Sequence, residues 1–144
     1  WEKLENLVKT KYKMQSINSI NKLSNFCKQA IKMPNIHIES KYNNLVWRVE
    51  IDKLSNDLVD FRSNSGYFCE FNAYSIENIT KFITRKFQTL SYYGFEKNTI
   101  KKFMEEFTPR GIERIVPIGS TMEFSLTWDG INLAEQLTRN IDIL

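Results

Sequence analysis

From Gly66 to Ile118 the chain alternates β-type and helical runs, and few architectures accommodate that order. "YFCEFNA", "QTLSYYGF" and "IERIVPI" read as three strands. Between the first two, "SIENITKFITRKF" turns Ile76, Ile79, Phe82 and Ile83 inward behind a Ser75 cap. "NTIKKFMEEF" places Ile100, Phe103, Met104 and Phe107 at i, i+3, i+4 and i+7, and Pro109 and Gly111 stop that helix. A strand-helix-strand-helix-strand series predicts parallel strands joined by right-handed crossovers. The expected fold class is therefore α/β, a parallel sheet with flanking helices.

The flanks are less regular. From Glu2 to Met33 there is no Gly or Pro, and Leu4, Leu7 and Val8, then Ile17, Ile20, Leu23, Phe26 and Ala30, recur at helical spacing. This is one long helix or two, ending before Pro34. "NLVWRVEI" alternates, with Leu45, Trp47, Val49 and Ile51 on one face and Val46, Arg48 and Glu50 on the other, as in a half-buried strand. Asp52 to Gly66 mixes a helical turn with a polar loop. The expected organisation is a helical region plus strand over 1–60, a βαβαβ array over 66–118, and a loop with a closing helix over 119–144. In that last segment Asn132 and Glu135 have capping-box spacing.

Composition narrows the function. With 144 residues, 42% of them hydrophobic, the chain fits one packed domain. A net charge of +3, from 20 basic and 17 acidic residues, is too small and dispersed to indicate nucleic acid or a membrane surface. No apolar run approaches the roughly 18 residues of a membrane span, and "WEKLENLVK" has no signal-peptide character. Cys27 and Cys69 are isolated from each other and from the one histidine, so their spacing makes neither a zinc site nor a disulfide framework. Free thiols suit a reducing cytoplasm. The chain starts at Trp1 without an initiator methionine, which we read as a piece cut from a longer polypeptide.

Catalytic signatures are missing: there is no GxSxG, GxGxxG, P-loop or HExxH. His37 in "PNIHIES" reads as structural or superficial, and no metal ligand set is expected. Cys27 and Cys69 sit mid-element in apolar runs, where thiols are usually inert. Trp128-Asp129-Gly130 reads as a turn with Gly130 at positive φ and Trp128 over the core edge, and Arg110, Glu113 and Arg114 read as solvated. In open α/β sheets, ligands bind beyond the carboxyl ends of the strands, where the loop after Val116 emerges.

"GIERIVPIGSTMEFSLTWDGINLAEQLTR" resembles the C-terminal end of the bacterial long-chain fatty acyl-CoA reductases, the reductase subunits of the bioluminescence fatty acid reductase complex. The resemblance rests on Gly111, Arg114, Val116, Pro117 and Gly119, on Trp128-Asp129-Gly130 and on the closing helix; "FQTLSYYGF" upstream is also similar. It implies an aldehyde-dehydrogenase-like catalytic domain part. The implied reaction is NADPH-dependent reduction of a fatty acyl thioester, held on a cysteine, to the aldehyde. Neither Cys27 nor Cys69 matches the family's nucleophile motif, so this chain has no catalytic residue of its own.

The resemblance further implies that Arg62, Ser63 and Asn64 contact the NADPH phosphate or ribose. Pro117, Gly119, Met122, Phe124 and Trp128 would wall the acyl tunnel, and Asp129 and Gly130 would structure the loop. The implied donor is fatty acyl-CoA or an acyl-protein, with acyl-protein synthetase and transferase subunits as partners and a homo-oligomeric full-length enzyme. The competing reading is a non-catalytic protein-interaction module that keeps the α/β scaffold, and a weaker third makes Cys69 the nucleophile of an unrelated thiol enzyme.

Overall fold

The computed structural model describes residues 1–42 and 44–143, and Leu144 of the expected tail lies outside them. The chain is mixed α/β and divides into two compact units, Trp1–Tyr74 and Ser75–Leu144.

In the first unit the gap-free N-terminal run forms two helices, α1 (Glu2–Lys11) and α2 (Ser16–Lys32). Tyr12 turns extended and closes α1 with its N–H on the Val8 carbonyl, 2.8 Å away. Met33, also extended, ends α2 ahead of Pro34 as expected. Three strands follow: β1 (His37–Tyr42), β2 (Val46–Glu50) and β3 (Tyr67–Glu70). β1 is antiparallel to β2, and β2 is parallel to β3. The crossover from β2 to β3 contains a 3₁₀ helix, Asn56–Phe61, started by Ser55, whose hydroxyl accepts from the Asp57 N–H. Trp47, Val49 and Tyr67 form one core cluster and Met33, Ile51 and Phe61 another. Gly66 is required ahead of β3, because its φ is +79° and a Cβ there would overlap the Leu45 carbonyl.

Two expectations for this unit need correction. Val46 was expected on the open face of its strand but is fully buried, at the end of that strand where Leu4 and Val8 of α1 border the same cavity, whereas Arg48 and Glu50 further along are only half-buried. More consequentially, of the apolar stripe expected on α2 only Phe26 packs against the core, and most of the rest faces outward. Ile17, Ile20 and Leu23 are 52%, 58% and 53% exposed, whereas Lys22 and Gln29 are completely buried. Burial follows the hydrogen-bonding demand beneath the helix: carbonyls at the strand starts and the Tyr67 hydroxyl need polar partners.

In the second unit, β4 (Gln88–Tyr92) and β5 (Ile112–Pro117) are parallel and joined through α3 (Lys97–Phe107), the βαβ arrangement expected of them. Ile100 and Phe103 bury the inner stripe of α3, and Thr108 closes it in the left-handed conformation. β6 (Thr127–Trp128) and β7 (Ile131–Asn132) make a hairpin, followed by α4 (Leu133–Leu137), whose Ala134 N–H is capped by Asn132. The 66–118 stretch does not form one parallel array. β3 takes β2 as its partner and β4 takes β5, in separate sheets. The connector between β3 and β4 folds as a 3₁₀ helix, Ile76–Phe82, rather than as an α-helix. Its apolar residues Ile76, Ile79 and Phe82 recur at intervals of three, the period at which side chains align on a 3₁₀ helix. Among the described residues no helix is long and apolar enough to cross a membrane.

Candidate functional site

The loop leaving β5 is built around Arg114. Pro117 to Ser120 is a turn closed by the Ser120 N–H on the Pro117 carbonyl at 3.1 Å, and Gly119 takes the positive φ of +101° that a type II turn needs there. The Arg114 guanidinium, projecting from β5, donates to the carbonyls of Ser120 (3.2 Å), Thr121 (2.6 Å) and Glu123. Its Cζ lies 4.5 Å from the centre of the Trp128 ring, which stacks on Phe124 at 5.3 Å. The fork and the aromatic stack fix a stretch that has little core of its own. Arg114, read from sequence as solvated, is therefore the hub of this loop. Its position on β5, ahead of a loop with a tryptophan, was the available signal.

Each residue expected to wall a tunnel has a definite place. Trp128 is half-buried under Arg114, and Pro117 and Gly119 are exposed at the strand end. Met122 is 88% and Phe124 71% exposed. Asp129 and Gly130 have φ of 49° and 75°, the two positive values of a two-residue hairpin turn, which is the turn with Gly130 at positive φ read from the residues. Glu113 lies alongside Gly130.

In the first unit, α1, the α1–α2 connection and the start of the sheet line an open cavity of about 470 Å³. Leu4, Val8, Met14, Val46 and Phe68 give it an apolar lining, with Lys13 and Asn64 among its polar members. Of the three residues expected on a cofactor, Asn64 alone lines this cavity. Arg62 instead turns its Nε onto the Val59 carbonyl at 3.1 Å, and Ser63 is not among the lining residues. Behind the wall, the Lys22 ammonium donates to the carbonyls of Ser65 (2.9 Å), Leu45 (3.5 Å) and Asn44, and sits 5.7 Å from the Trp47 ring centre. This lysine was not singled out in sequence, where it is one of many in a helical run.

Gln29 organises a second buried group. Its Oε1 accepts from the Tyr67 hydroxyl at 2.7 Å, and its Nε2 lies 3.4 Å from the Cys69 Sγ. Cys69 is exposed as a residue, yet its sulfur faces this amide. Burial pushes the Cys69 thiol up, only partly offset by the bond to Gln29, and burial also pushes Tyr67 up, with the Cys69 charge adding to it. A thiol held protonated is a poor nucleophile, which argues against the unrelated thiol enzyme. No protein-family model, curated protein or solved structure matches this chain.

Proposed function

We propose that this chain is the later catalytic-domain portion of an NADPH-dependent fatty acyl-CoA reductase, contributing acyl-tunnel wall and lacking the nucleophile. The observation that carries the reading is the Arg114-pinned loop at the carboxyl end of a parallel strand. It combines the residues of the resemblance, Gly111 to Gly119 and Trp128-Asp129-Gly130, with outward-facing Met122 and Phe124. Apolar side chains on a fixed loop at that sheet edge are what an acyl chain would pack against.

NADPH would supply the hydride when bound. Of the three expected contacts Asn64 is an amide at a cavity that also holds Lys13, while Arg62 keeps its Nε on the Val59 carbonyl. The chain's own residues act by position: Arg114 holds the loop, Trp128 and Phe124 form a flat apolar surface, and Asp129-Gly130 sets the turn. The apolar outer stripe of α2, Ile17, Ile20 and Leu23, is what a helix covered by further protein carries, and it also favours the second reading, a non-catalytic interaction module.

The test offers tetradecanoyl-CoA and NADPH both to the source polypeptide that contains this sequence and to the 144-residue chain alone. Tetradecanal is expected from the former only. Aldehyde from the isolated chain refutes the missing nucleophile. An inactive source polypeptide that a photoreactive acyl-CoA fails to label at Met122 or Phe124 leaves the interaction module as the reading.

A further inference from the structure

Away from the loop and the cavity, one imidazole and two carboxylates converge on the β1–β2 ribbon. His37 and Glu50 are direct partners in the antiparallel register, so their side chains leave the same face. Glu39 follows two residues after His37, at the point where the register slips between Ile38 and Ser40. Such a bulge re-aims the side chain it carries, here back toward the cross-strand pair. His37 Nε2 lies 3.1 Å from Glu50 Oε2 and 3.8 Å from Glu39 Oε2, and one donor atom from each residue falls within 4.8 Å of the other two. Asn72 Nδ2 donates to Glu50 Oε1 at 3.1 Å, which holds that carboxylate with its other oxygen toward the imidazole.

We propose that His37, Glu39 and Glu50 bind a divalent first-row transition-metal ion, with Zn²⁺ as the representative case. The spacing is the first argument. An ion bound at about 2.0–2.2 Å in tetrahedral geometry holds its ligand atoms about 3.4 Å apart, and the two imidazole-to-carboxylate distances of 3.1 and 3.8 Å straddle that value. Charge is the second. Two carboxylates flank one imidazole nitrogen, so the site offers a divalent ion two anionic oxygen ligands and one nitrogen ligand. Ligand type is the third: an imidazole nitrogen selects zinc, nickel or copper over magnesium and calcium, which prefer all-oxygen sites. All three side chains are at least partly exposed, so the fourth position belongs to water. Asn72 then acts as the outer partner that orients a ligand carboxylate. The site is independent of acyl-CoA reduction and stands if that reading fails.

The experiment titrates Zn²⁺ alone into the full chain carrying Cys27→Ser and Cys69→Ser, so that thiols do not compete, and follows heat. Co²⁺ absorption in the unsubstituted chain reports the ligand set. One saturable site per chain is expected, with Co²⁺ bands free of thiolate charge transfer. His37→Ala should abolish uptake, Glu39→Gln should weaken it at least tenfold, and Asn72→Ala should weaken it about tenfold, the lower end of the effect of outer-shell partners. Glu39→Gln changes no volume and decides the matter if His37→Ala fails to fold. Absence of saturable Zn²⁺ binding overturns the proposal. So does binding that Glu39→Gln leaves unchanged, or a Co²⁺ spectrum dominated by thiolate.

Discussion

Lys22→Met removes one ammonium from the floor of the first unit and keeps most of the side-chain volume. In the native chain that ammonium is wholly buried and serves the carbonyls of Asn44, Leu45 and Ser65 while lying over Trp47. A buried carbonyl stripped of its partner costs about 1–3 kcal/mol. The bonds to Asn44 and Ser65 are only partly buried, so water recovers much of their share, and the Leu45 carbonyl carries most of the loss. Losing the cation over the indole adds about 0.5–2 kcal/mol. Relief from burying a charge works in the other direction. The net expectation is a destabilisation of about 2–3 kcal/mol, since breaking a buried charged contact outweighs the relief unless both sides are replaced. For a unit of this size that is a fall in Tm of roughly 10–20 °C. Thermal unfolding read from tryptophan fluorescence in a Trp1→Phe, Trp128→Phe background isolates Trp47 as reporter. A Tm equal to or above that of the same background with Lys22 intact would refute the reasoning, because it would mean that desolvation of the ammonium costs more than its three carbonyl bonds return.

Two further outcomes concern the Arg114 loop and the Tyr67–Cys69 pair. Arg114→Lys keeps the charge and loses the fork, so the Glu123 amide, bonded to the Ser120 carbonyl at 3.2 Å, should exchange its hydrogen at least tenfold faster while the Tm moves by only a few degrees; native protection in the variant would remove Arg114 as the hub. Tyr67 and Cys69 both hold their protons more tightly when folded, so as pH rises through the ordinary thiol and phenol ranges the unfolded chain releases its protons first. Stability is therefore full below those ranges and falls as pH rises through them, by at most about 1.4 kcal/mol per pH unit for each group. Urea midpoints should drop from pH 8 to pH 10.5 and drop less in Tyr67→Phe, and identical slopes for the two proteins would contradict the assignment.

The elements that the sequence announced clearly are those whose local signals and tertiary fate agree. α3 combines a single apolar stripe with Pro109 and Gly111 beyond its end, and β4 and β5 flank it at crossover distance. α2 is the counterexample. Its apolar periodicity is genuine, but the sheet beneath offers carbonyls and a phenol, and hydrogen-bond satisfaction overrode the hydrophobic stripe. Lys22 and Gln29 look like solvent residues in one dimension because their partners lie 43 and 38 positions away. Strand pairing was illegible for a similar reason: alternation identifies a strand but not its neighbour, and β3 chose the earlier β2 over the later β4. In the loop, the Asp129-Gly130 turn was readable from its residues, whereas the role of Arg114 depends on three carbonyls brought round by two turns.

The division at Tyr74 has a consequence for how the chain is made. Every strand pairing of Trp1–Tyr74 is satisfied by residues before that point, so this half can close on the ribosome while Ser75–Leu144 is still being added. At bacterial to eukaryotic elongation rates, those 70 residues take about 4–14 s. Throughout that interval the isoleucines and leucine on the outside of α2 face the nascent-chain environment, and a holdase chaperone would find its first purchase there.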